Sequence, residues 1–452
     1  MNYIEFEENL YNLLINHINE KYEIDKYIEL LNYEPNNSLL IYLTSHAYFK
    51  LGDLKSSDEY RLKAVKLNSN IGFDTDFEKI FIVIYYLFST ITTKYNPYLD
   101  DEIECDIKSD STPKDYLLVS EKYRNSNDLS NSIRIIDKAQ TLFPEDKRFI
   151  CDRASTLLFS REIDEAWKNN EIRFDDIRCK LPQYADKPKF ILQKNSAKVY
   201  VYTVTKLGDA IFFARYIFEL KKRYPKLKLF VNVDENLYDL FTYNKIPIYK
   251  NIDKKNMDYQ ISFEGLPTLF QGENLILSDK YLNADKKISN EYKQKYFNNG
   301  KLKIGIVWNS SEKNNERNIN ITDFIGLFNI SGIQYYSLQK NVTLQEQIIL
   351  ARNNVVTLGE KFENLNQTAA AIDNLDFIIG CDTSVTNLSG AMGKNTIILL
   401  PYHSDWRWGV YEQSCKWYKS VKLYRQNLNK RYDEVFERIE RELKKLYEYN
   451  KT

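Results

Sequence analysis

The chain is 452 residues long, enough for about three domains. Its 63 Lys and Arg balance 63 Asp and Glu, which excludes a nucleic-acid binder working by bulk positive charge and, equally, an acidic disordered tail. The cysteines (Cys105, Cys151, Cys179, Cys381, Cys415) and histidines (His17, His46, His403) stand far apart with no CxxC pair, so neither a disulfide framework nor a thiolate or histidine-rich zinc centre is expected. In chain order, Met1 to Glu8 shows no basic flank and no small-residue cleavage site. The longest apolar run, Ile80 to Phe88, is too short to span a bilayer. The expectation is a cytoplasmic chain with no membrane span.

Residues 1–185 contain few glycines and read as helices joined by short polar turns. Two stretches share a spacing close to the ~34-residue period of paired-helix repeats. In the first, Tyr48, Gly52 and Ala64 fall in register, with Leu51-Gly52-Asp53 as the turn. In the second, Tyr123, Ile136, Ala139 and Pro144 take the corresponding places, with Asn125-Ser126-Asn127-Asp128 as the turn. A third, more decayed copy carries Ala154 and Ala166. Small residues let two helices cross closely and proline stops the second. The expectation is a tetratricopeptide-like (TPR-like) repeat domain; a generic helical bundle is the alternative.

The pattern changes near Pro182. Lys198 to Val204 is a β-rich run, followed by Leu207-Gly208-Asp209 and an amphipathic helix from Ala210 to Arg223, with Ile211, Ala214, Ile217 and Phe218 on one face. Strands follow at Leu227 to Val233 and Tyr259 to Phe263. A second unit opens at Lys303 to Trp308, with strands at 333–338, 355–358, 377–380 and 396–400. Its helices are expected at 344–352, 365–372 and 386–392, and a terminal amphipathic helix at 432–449. Alternating short buried strands and helices argue for parallel sheets with ligands at the strand C-termini. The predicted class is therefore α + α/β: a helical domain (1–185), two Rossmann-like lobes (186–298 and 299–430) with a cleft between them, and a C-terminal helix (431–452).

The segment from Leu375 to Lys394 carries the most specific chemistry. A buried strand ends in Cys381-Asp382, Thr383-Ser384 forms the turn, and a small-residue helix begins. Free N–H groups and two hydroxyls at a helix N-terminus suit a diphosphate; an ordinary Asp/Ser/Thr cap is the alternative.

This segment, continued by Leu399-Leu400-Pro401-Tyr402 and Asp405-Trp406-Arg407-Trp408, resembles the C-terminal signature of bacterial tetratricopeptide-repeat glycosyltransferases, whose catalytic half is similar to glycosyltransferase family 9, the heptosyltransferases. Further pieces resemble the family in order: Leu207 to Tyr216, Gly305-Ile306-Val307-Trp308, Ser337-Leu338-Gln339-Lys340, and Trp417-Tyr418 ahead of Leu423-Tyr424-Arg425-Gln426. Glu165-Ala166-Trp167 to Arg173-Phe174 resembles the end of the family's repeat region. The resemblance covers roughly residues 115–430. It implies a GT-B fold, a nucleotide-sugar donor on the C-terminal lobe, an acceptor on the N-terminal lobe, and inverting transfer with no metal or other cofactor. The chain departs from the family twice: Asn387 stands where a histidine is common, and Lys206 where a second glycine precedes Leu-Gly-Asp.

On that resemblance Asp209 is the candidate general base, taking the acceptor hydroxyl proton as the anomeric carbon develops oxocarbenium character; its alternative is an N-cap of the 210–223 helix. Lys340 would neutralise the departing diphosphate. Gly208, Trp308, Asn309, Gln339, Asp382, Thr383, Ser384 and Asn387 complete the expected donor site; a solvated surface lysine is the alternative for Lys340 and a core residue the alternative for Trp308. Arg317 reads as a solvated loop arginine, with a loop closing over phosphates as the alternative; the Asp405 to Trp408 cluster reads as packing beneath the cleft, with contact to a base or sugar as the alternative; His403 reads as a loop histidine. Asp74-Thr75-Asp76 has the DxD form of metal-dependent enzymes but lies in the helical region and is set aside. No P-loop and no GxGxxG fingerprint is present. Solenoids offer grooves to flexible segments, so the expected acceptor is a Ser or Thr hydroxyl of a bacterial protein such as a flagellin or adhesin. The alternatives are transfer to a saccharide or lipid-linked acceptor, as in heptosyltransferases, and a non-catalytic repeat scaffold. Neither nucleic acid nor membrane is an expected partner.

Overall fold

The computed structural model describes Leu13 and residues 22–33, 35, 38–67, 107–108, 110–160, 162–170, 187–192, 196–203, 206–252, 256–270, 280–310, 316–410, 412–427 and 430–449. Met1 to Glu8, His17, Asp74-Thr75-Asp76, the Ile80 to Phe88 run, Cys105, Arg173-Phe174, Cys179 and the expected 185/186 boundary lie outside the described residues. The chain divides into two compact units, Met1–Asp106 and Ile107–Thr452.

In the first unit, helices α1 (Ile24–Tyr33), α2 (Ser38–Lys50) and α3 (Leu54–Leu67) close on Tyr27, Leu30, Leu40, Ile41, Leu43, Ala47 and Ala64. Gly52 sits between α2 and α3 at φ +83°, a left-handed turn that favours glycine.

The second unit begins with two helical hairpins: α4 (Pro113–Asn125) with α5 (Leu129–Leu142), and α6 (Arg148–Phe159) with α7 (Ile163–Asn170). Ala139, Ala154 and Ala166 are fully buried; with no bulk beyond Cβ they let the helices approach. A polar seam sets the stacking. Ser120 donates to Asp152 at 2.6 Å and Arg124 to the other Asp152 oxygen at 2.8 Å, joining the first hairpin to the second. Leu157, Leu158, Ala166 and Trp167 then enter the same hydrophobic core as the sheets.

The N-terminal lobe is a parallel sheet in the order β2-β1-β3, from β1 (Lys198–Tyr202), β2 (Lys228–Asn232) and β3 (Tyr259–Ser262). Helix α8 (Leu207–Arg223) follows β1. It is not the one-faced amphipathic helix read from sequence: Ala210 through Ile217 are all buried, Arg215 included. The reason is position. One side packs under the sheet and the other meets Trp417 and Tyr418 of the second lobe.

The second lobe has six parallel strands: β4 (Leu302–Val307), β5 (Ile333–Ser337), β6 (Val356–Thr357), β7 (Phe377–Cys381), β8 (Thr396–Leu400) and β9 (Val421–Arg425). Their order is β6-β5-β4-β7-β8-β9, so the chain builds outward one way from β4 and then the other way from β7. Both faces are covered, and alternate residues serve opposite cores: Ile397 and Leu399 one, Ile398 and Leu400 the other. Helices α9 (Lys286–Tyr296), α10 (Leu344–Arg352), α11 (Leu365–Asp373), α12 (Ser384–Ala391) and α13 (Asp433–Tyr449) complete the lobe. Phe436, Ile439 and Leu443 of α13 belong to the lobe's own core. The reversal of strand order leaves a crevice outside the C-terminal ends of β4 and β7, where open sheets of this kind bind ligands. The two strands are tight there: a Cβ on Gly380 would stand 2.3 Å from the Val307 carbonyl oxygen.

Candidate active site

Two helix N-termini meet at this crevice. Helix α8 starts at Leu207, with Lys206 in the extended cap position, so Asp209 lies inside the first turn and is not the N-cap that one reading of the sequence allowed. Helix α12 starts at Ser384 and is capped from Thr383. A Cβ built on Gly208 would lie 3.7 Å from Asn387 Nδ2 and 3.8 Å from the Ser384 backbone nitrogen. Each N-terminus carries about half a positive charge. Bringing two together is unfavourable unless negative charge offsets them. Asp209 supplies part of it, and the arrangement has room in its chemistry for an anion. The Thr383 hydroxyl is buried with no hydrogen-bond partner among the described residues, while its backbone N–H donates to Thr386 Oγ1 at 3.0 Å.

Arg407 is the group that sequence reasoning missed. It lies in a 3₁₀ turn, Trp406–Trp408, after β8, with a side chain only 8% exposed. Its Nη1 donates to Asp209 Oδ1 at 2.5 Å, and its Nε to Asp405 Oδ1 at 2.8 Å. Burial works against its charge, but the fields of Asp405, Asp209 and Asp382 outweigh it and hold its pKa well above the ordinary arginine value. Asp382, fully enclosed at the end of β7, is pushed up by burial against the pull of Arg407 and Arg317. Arg317 is not the solvated residue expected. Its Nη1 lies 3.7 Å from Asp382 Oδ2 and 3.5 Å from the Asp382 carbonyl oxygen, crossing the crevice from the loop after β4. The turn bearing Arg407 is braced by Arg425 of β9, which donates to Ser404 Oγ at 2.7 Å and to the Gly409 carbonyl at 2.9 Å.

Asn387 stands behind this surface. Its amide nitrogen donates to the Thr383 carbonyl at 2.9 Å and to Asp382 Oδ1 at 3.2 Å, and its oxygen accepts from Tyr418 at 3.3 Å. With both amide hydrogens engaged, it orients Asp382 from behind. The small residues of α12 let it pack closely: Ser389 Oγ lies 2.6 Å from Thr396 Oγ1 of β8, and Gly390 admits the Tyr418 ring, whose Cγ would be 2.7 Å from a Cβ there.

Beyond β4 and β5 the loops are tied to each other. Gln339 Oε1 accepts from the backbone N–H groups of Trp308 (3.1 Å) and Asn309 (2.9 Å). Glu346 accepts from Trp308 Nε1 at 2.6 Å and Asn309 Nδ2 at 3.1 Å. Burial works to raise the Glu346 carboxyl, and the hydrogen bonds from Trp308, Thr343 and Asn309 bring it below its usual value. The Thr343-x-x-Glu346 capping box was the available signal for this residue. Trp308 is wholly buried and supports the loop from within the core. Lys340, next along, is exposed and its ammonium makes no hydrogen bond or ion pair among the described residues. The structure thus gathers Gly208, Asp209, Asp382, Thr383, Ser384 and Asn387 at one place, and groups Trp308, Asn309, Gln339 and Lys340 at the neighbouring strand ends.

On the other flank of α8, Arg215 is buried in an aromatic cage. Its guanidinium carbon lies 4.3 Å from the Phe212 ring centroid, 4.6 Å from Tyr418, 5.1 Å from Tyr281 and 5.7 Å from Trp417. It donates to the carbonyls of Phe212 and Trp417 at 2.8 and 2.9 Å, fastening one lobe to the other.

The helical hairpins reach the same turn. Trp167 meets Trp406 edge-on at 5.7 Å and Phe213 at 6.1 Å. His403 stacks on Phe159 at 5.1 Å, and its Nδ1 lies 3.1 Å from Asn127 Oδ1. His403 is therefore a docking residue; burial, then Arg124 and Arg425, push its pKa down to about 4.

No protein-family model and no curated protein sequence matches the chain. Among solved structures it is similar to an ADP-heptose lipopolysaccharide heptosyltransferase II of E. coli, at 13% identity over 56% of this chain and 100% of that one, TM-score 0.44. It is similar to a glycosyl transferase family 9 protein from Veillonella parvula at 13% identity, over 52% of this chain and 88% of that one, TM-score 0.40. An O-GlcNAc transferase mutant from Thermobaculum terrenum aligns over 87% of this chain and 83% of its own, at 11% identity and TM-score 0.26.

Proposed function

We propose that the protein is a metal-independent, inverting glycosyltransferase using a nucleotide-diphosphate sugar. The observation that carries this reading is the meeting of Gly208, beside Asp209 in one lobe, with the Ser384 helix start of the other, at the strand-order reversal of the six-stranded sheet, where Arg407 of the second lobe pairs with Asp209. In this reading the diphosphate lies against the α12 N-terminus, with the unpartnered Thr383 hydroxyl and Lys340 as its donors. An acceptor hydroxyl attacks the anomeric carbon from the side opposite the diphosphate. Its proton passes to Asp209, and the bonding pair of the broken C–O bond leaves with the diphosphate, whose charge Lys340 and the helix end stabilise.

The acceptor in this proposal is a Ser or Thr hydroxyl of a polypeptide held by the hairpins, which we read as TPR-like. Two facts favour it: the second helices of the hairpins begin 34 positions apart, at Leu129 and Ile163, and the hairpins touch the turn that carries Arg407. Among the described residues no helix is long and apolar enough to cross a membrane, and we place the reaction in the cytoplasm.

The test is calorimetry of the purified protein against UDP, GDP, ADP, CMP and their sugar conjugates without added metal. One diphosphate should bind, and Thr383→Ala should weaken it by about 10-fold, the worth of one hydrogen bond of about 1–1.5 kcal/mol. Binding that requires Mg²⁺ or Mn²⁺ would remove the metal-independent mechanism. Absence of binding to all of them would leave the scaffold reading in its place.

A further inference from the structure

Asp209 and Arg407 come from opposite lobes, 198 positions apart in the chain. Arg407 is held on its own lobe by Asp405, and Arg425 fixes the turn beneath it. The Phe212 ring, one turn beyond Asp209 on α8, lies 5.4 Å from the guanidinium carbon. The arginine therefore has a single orientation, aimed at one oxygen of Asp209. The other oxygen, Oδ2, makes no hydrogen bond among the described residues, and the Asp209 side chain is 26% exposed.

We propose that Arg407 is a positioning residue: it clamps Asp209 through Oδ1 across the lobe boundary and leaves Oδ2 to receive the acceptor proton. This deepens the transferase reading and rests on it. Because the clamp is made by residues of different lobes, the base is oriented only while the lobes are together. The charged groups gathered around Asp209 are Arg407 and Asp405 of the turn, Asp382 at the end of β7, Arg317 of the loop after β4, and Lys206 at the foot of α8. Arg407 is the one cation among them with a hydrogen bond to Asp209.

The experiment compares wild type, Arg407→Gln and Arg407→Lys in kcat and donor KM. In Arg407→Gln kcat should fall by about 10²-fold, the cost of a misplaced catalytic group, while donor KM stays near wild type. Arg407→Lys keeps the charge but loses the forked geometry, so part of kcat should return. In parallel, ¹³C-carboxyl NMR at neutral pH follows the Asp209 signal, assigned by its loss in Asp209→Asn; the signal should move in Arg407→Gln as the contact is lost. An unmoved Asp209 signal in Arg407→Gln overturns the clamp. So does a loss shared equally by kcat and donor binding together with a fall in thermal stability, which marks a merely structural arginine. If the NMR signal moves as expected while wild type turns over no donor, the clamp stands as a contact and the proton-transfer role is overturned with the transferase reading.

Discussion

Two buried arginines hold the lobes together along α8; both lie against the Phe212 ring, and the rest of their surroundings differ. Arg215 is ringed further by Tyr281, Trp417 and Tyr418, whereas Arg407 is ringed by the carboxylates of Asp209, Asp405 and Asp382. Aromatic faces do not titrate near neutral pH, and cation–π contacts in a desolvated site are worth about 2 kcal/mol or more. That flank is a fixed joint. Carboxylates exchange protons, and the flank around Arg407 is where chemistry can be done. The same residue type thus separates stability from reactivity within one interface.

That separation can be broken most sharply at Asp209. Asp209→Asn should lower transfer by about 10²–10⁴-fold, the range for loss of a general base, while the urea midpoint moves less than in any Arg215 variant. Turnover within a few-fold of wild type would remove Asp209 from the chemistry. The opposite flank should answer in stability. Arg215→Ala leaves a cavity and two carbonyls without their donor, and is expected to cost about 3–5 kcal/mol in urea denaturation. Arg215→Met fills the space without burying a charge and should recover more than half of that loss; equal damage from both variants would show that the charge itself makes the joint.

The smallest effect lies at His403. Its imidazole is docked neutral, with a folded pKa of about 4 against an ordinary value of 6.5. The unfolded chain takes up its proton first, so the contribution is full above about 6.5 and is lost as pH falls toward 4. His403→Gln should flatten that part of the stability curve, measured by thermal unfolding between pH 4 and 7. A curve of unchanged slope would mean that the docking does not depend on the neutral ring.

Local patterns carried much of this to the reader of the sequence. The strand Thr396–Leu400 and the helix Leu344–Arg352 lie where periodicity puts them, because their buried faces and caps are written in adjacent residues. Strand C-termini and the Asp382-Thr383-Ser384 turn were legible for the same reason. The partners of Asp209 were not. Its N-cap alternative fell because α8 begins at Leu207, three residues earlier than the amphipathic pattern indicated, and its arginine arrives from a turn beyond β8. Trp308 read as a ligand contact because strand-end residues usually face the crevice, and Asn387 because it stands in the first turn of α12; the structure adds partners for both, Glu346 and Asp382. Such pairings form through space, between segments whose sequence gives no spacing to measure.

The docking of the second hairpin on the Trp406 turn bears on how such a protein can be recombined. Trp167 and Phe159 cover aromatic surface that belongs to the two-lobed half. A graft that joins foreign helices at the start of the first sheet would bare that surface and leave an apolar scar of the kind that drives association. A recombination that spares this surface therefore keeps both hairpins with the sheets and joins upstream of Pro113.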